Sequence, residues 1–436
     1  MSSRWRGSGT VLLVLGPVLQ ACAVKVVEDG HVRRPAVQEL VSTVGELRGL
    51  SPSRTLRVAL EGPAVLRARA EKEARDPARA ADLDRRQKVW AKLGVLPPDV
   101  DLVESYRRLT AEAPYGYYDS SDEVLRLVAR PVMRSEIMEV VSALRNRDVV
   151  AGEVLAHEVC HALQDMHFDL DRLDREAPSD DARLARRALV EGDASLVGFL
   201  YSATFFQSFS DWVHFLQRRG ARAFRIEGVP DYLSQRSLFP YLAGGLYVAE
   251  LYAEGGFSRI DAAYQDLPAS TEQILHPELR GLPQSEPQIV VLPAADAVHG
   301  NDVRVLAEDS LGEFGLRVVL TRELDAGTAR VATEGWGGDR YRVVQAADGV
   351  LGLLWATRWD SDEDAQVFCT AYRRLLQRSY RPTEVLSAPP TTRLLVQGEV
   401  VAALECEGAA VDIVETLGPD TDEVLANLRA RRREMP

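Results

Sequence analysis

Apolar residues change their spacing several times along the chain, and each change predicts an element. Val11 to Leu19 is an unbroken apolar run, too short to span a bilayer. From Cys22 to about Ser53 the pattern reads as a solvated stretch. Leu56, Val58 and Leu60 then alternate with polar neighbours, the mark of a half-buried strand. Val65 to Lys92 is dense in Ala, Arg, Glu and Asp and predicts a helix with a solvated face, broken near Pro77. Asp101 to Glu112 predicts a second helix, and Tyr115 to Val128 a β-hairpin turning at Asp119 to Asp122. Helices are expected over Glu136–Asn146 and Val149–Phe168. Another runs from a cap at Ser179 or Asp180 to about Phe206, with more helix to about Tyr264.

The texture changes after His276-Pro277. Gln288 to Leu292 reads as a short apolar strand, and Ser310 with Glu313 matches a capping box. Tyr341–Val344 and Val350–Thr357 flank Asp348-Gly349, a hairpin signal; Leu394–Val396 and Val400–Leu404 flank Gly398 in the same way. Asp360 to Leu376 predicts a helix with acids in its first turn, and a final helix ends the chain. The expected class is α+β. A mainly helical domain covers residues 22–285, and a smaller α+β domain with two β-hairpins covers 286–436.

Hydrophobic residues are 46% and charged residues 27% of the 436, which excludes a disordered or collagenous chain. The net charge of −13 argues against a nucleic-acid partner, because phosphate binding needs a basic face. Lysine is confined to Lys25, Lys72, Lys88 and Lys92, and the abundance of arginine by itself carries no functional weight. Arg4 and Arg6 precede the apolar run, which ends in Leu19-Gln20-Ala21-Cys22. This resembles a bacterial lipobox, with Gln20 departing from the small residue expected there. The resemblance implies that residues 1–21 are a signal peptide and that Cys22 is lipidated, tethering the chain to the cell envelope by acyl chains. The plain alternative is a secretory signal with an incidental cysteine. Cys160 reads as a small buried residue. Cys369 on a helix and Cys406 on a strand either pair or remain separate thiols, since sequence does not give their distance.

His157-Glu158-Val159-Cys160-His161 is an HExxH motif within a predicted helix. Positions i and i+4 differ by about 40° around the axis, so both imidazoles project to one side. Two nitrogens so placed can share one zinc ion. Glu158 beside them can take a proton from a water that the metal has acidified. With only 7 histidines in the chain, chance is a poor explanation of the motif. A third ligand is available in Glu191, thirty residues beyond His161, on a helical face with Leu184, Ala188, Ala194 and Gly198. A carboxylate among small apolar groups is costly unless paired or bound to metal.

His157, Glu158, His161 and Glu191 together resemble a gluzincin, the zinc metallopeptidase group whose third ligand is a glutamate on a following helix. Glu191-x-x-Ala194 matches the second motif of that group, and the long spacing implies an insertion at Phe168 to Ser179. HEVCHALQDMHFDL (157–170), ALVEGDA (188–194), STEQILHPE (270–278) and GWGGDRY (335–341) are similar to a family of uncharacterised bacterial lipoproteins and archaeal surface proteins. The resemblance implies a zincin-like fold, with no known substrate. It also implies that Tyr117 and Tyr118, on the hairpin before the motif helix, belong to an edge strand that pairs with extended peptide.

Other residues carry weaker signals. His167 points away from His161 and reads as structural. Asp193 and Asp165 either orient a ligand imidazole or are ordinary helix-surface acids. His276 and Tyr241 are candidates to donate a hydrogen bond to a tetrahedral intermediate, against a loop-packing role. Trp336 with Gly335 to Gly338 reads as a tight turn capped by an aromatic. The expectation is an envelope-anchored Zn2+ peptidase acting on peptide or protein substrate. His157, His161 and Glu191 are the ligands and Glu158 is the general base; the C-terminal domain binds a partner or shapes access to the cleft. The alternative is a catalytically inactive zincin-like lipoprotein with a structural or partner-binding role.

Overall fold

The computed structural model describes residues 26–28, 31–62, 65, 68, 77–111, 116–128, 149–202, 209–220, 228–294, 303–415 and 421–434. The signal segment, Cys22 and the helix expected over Glu136–Asn146 lie outside the described residues. A short ribbon of β1 (Val27–Glu28) and β2 (His31–Val32) leads into helix α1 (Arg34–Arg48). The solvated stretch expected here is therefore partly helix. Val37, Leu40, Val41 and Val44 recur at helical spacing and bury one face. Gly49 closes the helix at φ 80°, in the left-handed region that glycine adopts without strain. The buried face of α1 packs with Leu125, Leu127, Val159, Leu163 and Val197 in one core cluster.

Three strands form a small sheet: β3 (Arg57–Glu61), β4 (Gly116–Asp119) and β5 (Val124–Val128). The central strand β5 pairs parallel with β3 and antiparallel with β4, so among the described residues β4 has a free edge. The helices are α2 (Pro77–Lys92), α3 (Leu102–Ala111), α4 (Val149–Phe168), α5 (Leu170–Arg175), α6 (Asp180–Ser202), α7 (Phe209–Gly220), α8 (Asp231–Gly255), α9 (Phe257–Gln265) and α10 (Thr271–Leu275). Ser179 caps α6, accepting from Ala182 N at 3.0 Å.

Close approach of α4, α6 and α8 follows from small residues. A Cβ on Gly192 would lie 2.3 Å from Gly244 O, and one on Gly244 would lie 2.1 Å from Ala188 O. A Cβ on Gly198 would lie 3.0 Å from Glu153 O and 3.6 Å from His157 Cβ. Any larger side chain at Gly192 or Gly244 would force α6 and α8 apart.

The chain ends in β6 (Val303–Asp309), α11 (Gly312–Leu320), α12 (Ala326–Val331), β7 (Trp336–Ala346), β8 (Leu351–Trp359), α13 (Asp362–Tyr380), β9 (Glu384–Ala388), β10 (Thr391–Val396), β11 (Glu399–Glu407), β12 (Ala410–Glu415) and α14 (Thr421–Glu434). The two expected hairpins are β7–β8 and β10–β11, and both belong to one antiparallel sheet ordered β6-β7-β8-β12-β11-β10-β9. Successive side chains of a strand face opposite ways. Trp355, Leu404 and Ile413 accordingly join Phe368 and Tyr372 of α13 in the largest core. Leu354, Ala356, Ala403 and Val414 meet Val424, Leu425 and Leu428 of α14 on the other face. Cys369 on α13 and Cys406 on β11 are joined by a disulfide, with Cα atoms 6.3 Å apart. Phe239 of α8 lies 4.6 Å from Phe314 of α11, ring centre to ring centre, so the largest core also reaches the helical part.

Three local expectations are corrected. Gln288 to Leu292 is not a strand; Gln288 N bonds Gly337 O at 2.6 Å, while Val290 and Leu292 plug the α14 cluster. Of Gly335 to Gly338 only Gly335, at φ 75°, lies in a turn. From Trp336 the segment is the start of β7, with a register shift between Trp336 and Gly338, and Gln288 O sits 2.6 Å from where a Cβ on Gly338 would be. The head of α11 is not closed by a Ser310–Glu313 box. Asp339 accepts from Leu311 N at 2.9 Å and Gly312 N at 2.9 Å, and Ser310 turns its hydroxyl to Asp339 O. A carboxylate from β7 thus caps the helix across the sheet. No described helix is long and apolar enough to cross a membrane.

Candidate metal centre

Two turns of α4 and one residue of α6 make the centre. His157 Nε2 and His161 Nε2 lie 3.0 Å apart, as their i, i+4 spacing on one helix face requires. Glu191 Oε2 lies 3.1 Å from His157 Nε2 and 3.3 Å from His161 Nε2. The close helix contact at Gly198 puts α6 directly on His157. A tetrahedral ion with bonds of about 2.0–2.1 Å separates its donors by roughly 3.3–3.4 Å. The three observed separations are close to that edge, so these donors fit a zinc-sized ion. Among the described residues this is the group that could hold a metal.

The orientation of His161 is set from behind. Its Nδ1–H donates to Gln164 Oε1 at 2.8 Å. The Gln164 amide nitrogen donates to Val190 O at 3.1 Å and Asp193 Oδ2 at 2.9 Å, which fixes which end of the amide meets the imidazole. That leaves His161 Nε2 facing the centre. Asp193 reaches His161 only through Gln164. Asp193 is buried and also bonded to Arg48 Nε at 2.8 Å and to Tyr264 OH at 3.1 Å. Gln164 and Arg48 were not singled out in the sequence. Gln164, three residues past His161 on the same face, carried a readable signal; Arg48, on α1, did not.

Glu158 lies beside the centre, 7% exposed, and accepts from Tyr118 N at 2.8 Å. The Tyr118 amide therefore faces away from β5, along the free edge of β4. Tyr118 OH donates to Asp165 Oδ2 at 2.8 Å, pinning β4 to α4 two turns further on. Asp165 holds the strand and touches neither ligand imidazole. Burial pushes the Glu158 pKa up, with His161 and His157 working against the rise. Tyr241 of α8 stacks on His157 with ring centres 6.0 Å apart, and its hydroxyl bonds Glu191. The residue is 41% exposed, while desolvation of the phenol beside Glu191 and Glu158 holds its pKa well above the ordinary value. His276 is engaged elsewhere, 3.0 Å from Glu313 on α11 and 3.6 Å from Glu278. His167 bonds Ser51 O at 2.8 Å, a structural tie, and Cys160 is a buried free thiol. The 270–278 segment docks helices: Thr271 bonds Asp181 of α6 at 2.6 Å and accepts from Phe314 N.

Without a metal, three acceptor atoms at this spacing must share protons. Burial alone would lower the His161 pKa, but Glu191 and Glu158 overcome it and push it up to about 9. His157 and His161 likewise hold Glu191 well below the usual carboxylate range, against its own burial. In the metal-free chain this pairing stabilises the fold fully between about pH 4.5 and 6.5; it is lost as the pH rises through about 9 and weakens in acid as Glu191 takes up a proton. Metal binding must expel the same proton. Affinity measured by competition with a chromophoric chelator should therefore rise about tenfold per pH unit below pH 9 and flatten above it. A flat profile through neutral pH would show that His161 is already neutral.

A cleft of about 620 Å3 opens from the centre, bounded by His161, Glu191, Tyr118, Leu170 and the arginines of α6. Residues 302–427 match the model of a family described as a domain of unknown function (DUF8575), a range that takes in the whole seven-stranded sheet but none of the centre. No curated protein and no solved structure matches the chain.

Proposed function

We propose that the chain is a zinc-dependent peptidase of zincin-like architecture, tethered to the cell envelope through Cys22. The supporting observation is the joint placement of His157, His161 and Glu191 at 3.0–3.3 Å with Glu158 beside them under a free strand edge. His157, His161 and Glu191 would hold the zinc ion, which when bound would supply Lewis acidity and lower the pKa of a water. Glu158, made more basic by burial, takes the proton from the attacking water and delivers it to the leaving amine. The free edge of β4 offers main-chain groups to an extended substrate. Tyr241, kept protonated by its surroundings, donates toward the developing oxyanion.

The inactive alternative draws on one observation, the engagement of Glu158 by Tyr118 N, which occupies one carboxylate oxygen. Elemental analysis should give one zinc per chain, lost in His157→Ala, His161→Ala and Glu191→Ala. Peptide-library cleavage should vanish on chelation and return with zinc. Full zinc occupancy in Glu191→Ala removes that residue from the ligand set, and cleavage that survives chelation rejects the metallopeptidase. Cys22→Ser should leave the membrane fraction; its retention there would reject the acyl anchor.

A further inference from the structure

The far wall of the cleft is cationic, although the whole chain carries a net charge of −13. Arg183, Arg186 and Arg187 of α6 and Arg175 of α5 line it with His161 and Glu191. Two of these four arginines pair with carboxylates. Arg183 pairs with Asp174 at 3.5 Å and Asp180 at 3.4 Å, and Arg187 pairs with Asp174 at 2.7 Å. Arg186 differs. Its Nη1 donates to the Leu173 carbonyl at 2.8 Å, its buried Nε has no partner, and no carboxylate pairs with it among the described residues. Burial pulls its pKa below the ordinary value; Glu176 and Asp174 oppose this, and Arg183 and Arg172 add to it. A guanidinium that lines a cleft without a carboxylate partner is suited to a substrate carboxylate.

Resting on the peptidase reading of the same cleft, we propose that Arg186 is a specificity-determining residue that binds a substrate carboxylate. Arg186 lies five residues from Glu191 on one helix, roughly 7.5 Å along the axis. An extended peptide advances about 3.3–3.6 Å per residue. Arg186 and Glu191 line the same cleft, so the carboxylate falls within a few residues of the scissile bond. It comes either from the chain terminus, which makes the enzyme a remover of short C-terminal pieces, or from an acidic side chain within a longer substrate.

The test uses fluorescein-labelled heptapeptides of alanine and leucine, in three forms: free C-terminal carboxylate, C-terminal amide, and C-terminal amide with one internal glutamate. Binding to full-length, zinc-loaded Glu158→Gln is read by anisotropy, and hydrolysis is read separately on the wild type. One carboxylate form should bind about tenfold tighter than the plain amide. The form that gains identifies the source. In Arg186→Gln the ratio should fall to about one, with Arg186→Lys retaining part of it. Equal affinities for all three forms, no binding of any, or an unchanged ratio in Arg186→Gln overturns the subsite. Carboxylate-dependent binding by a wild type that cleaves nothing leaves the subsite standing and rejects the peptidase instead.

Discussion

Glu158→Gln should keep one zinc per chain and near wild-type thermal stability while peptide hydrolysis falls by about 10² or more. The substitution is nearly isosteric and keeps helix propensity in α4. It touches none of the three proposed donors, His157, His161 and Glu191. The glutamine carbonyl can still accept from Tyr118 N, where Glu158 Oε2 accepts at 2.8 Å, so β4 stays in place. Only basicity is lost. In the wild type, burial raises the Glu158 pKa, so the acid limb of the pH–rate profile should sit above the usual carboxylate range, with activity lost as pH falls through it. That limb should disappear from the residual activity of Glu158→Gln. Zinc retained with cleavage unchanged would remove Glu158 from the mechanism. A wild type that binds zinc and cleaves nothing would favour the inactive zincin.

The parts of this protein that sequence revealed are those whose cause is local. The α4 helix, the His157–His161 pair and the β4–β5 hairpin depend on spacing within about a dozen residues. Glu191 was reachable because a lone acid among Leu184, Ala188 and Ala194 breaks the pattern of its own helix. What escaped depends on partners far along the chain. Asp339 caps α11 from β7 and so displaces a capping box that local sequence favours. Val290 and Leu292 are apolar because they plug a helix–sheet cluster, and they need no strand to do so. Helix α1 had the right apolar spacing, but its charged flanks disguised it. Nothing near Arg48 announces that its charge belongs to Asp193, 145 residues away.

That buried pair should give the largest loss of stability in the molecule. Arg48 and Asp193 are both fully enclosed, with Nε 2.8 Å from Oδ1, and Arg48 Nη2 also reaches the partly exposed Asp261 at 2.7 Å. The guanidinium lies 4.7 Å over the Phe257 ring. Removing one member of such a pair strands the other charge away from water, which costs about 3–5 kcal/mol. Arg48→Ala should therefore lower denaturation free energy by about that amount, and Asp193→Ala should do the same. The two should differ at the metal. Asp193→Ala removes one of the two acceptors of the Gln164 amide and leaves only Val190 O to hold it, so the hydrogen bond to His161 is less firmly fixed. Zinc affinity should then fall by about 10–100-fold, the usual scale for losing an outer partner of a ligand imidazole. In Arg48→Ala, Asp193 keeps Gln164 and Tyr264 as donors, so zinc affinity should fall less than in Asp193→Ala. In the double variant the stability losses should be strongly non-additive, because no stranded charge remains. Denaturant titrations and chelator competition on the three variants supply the numbers. Strict additivity would mean that the two charges are held independently. Equal zinc affinities in Asp193→Ala and wild type would mean that Gln164 orients His161 without help from Asp193.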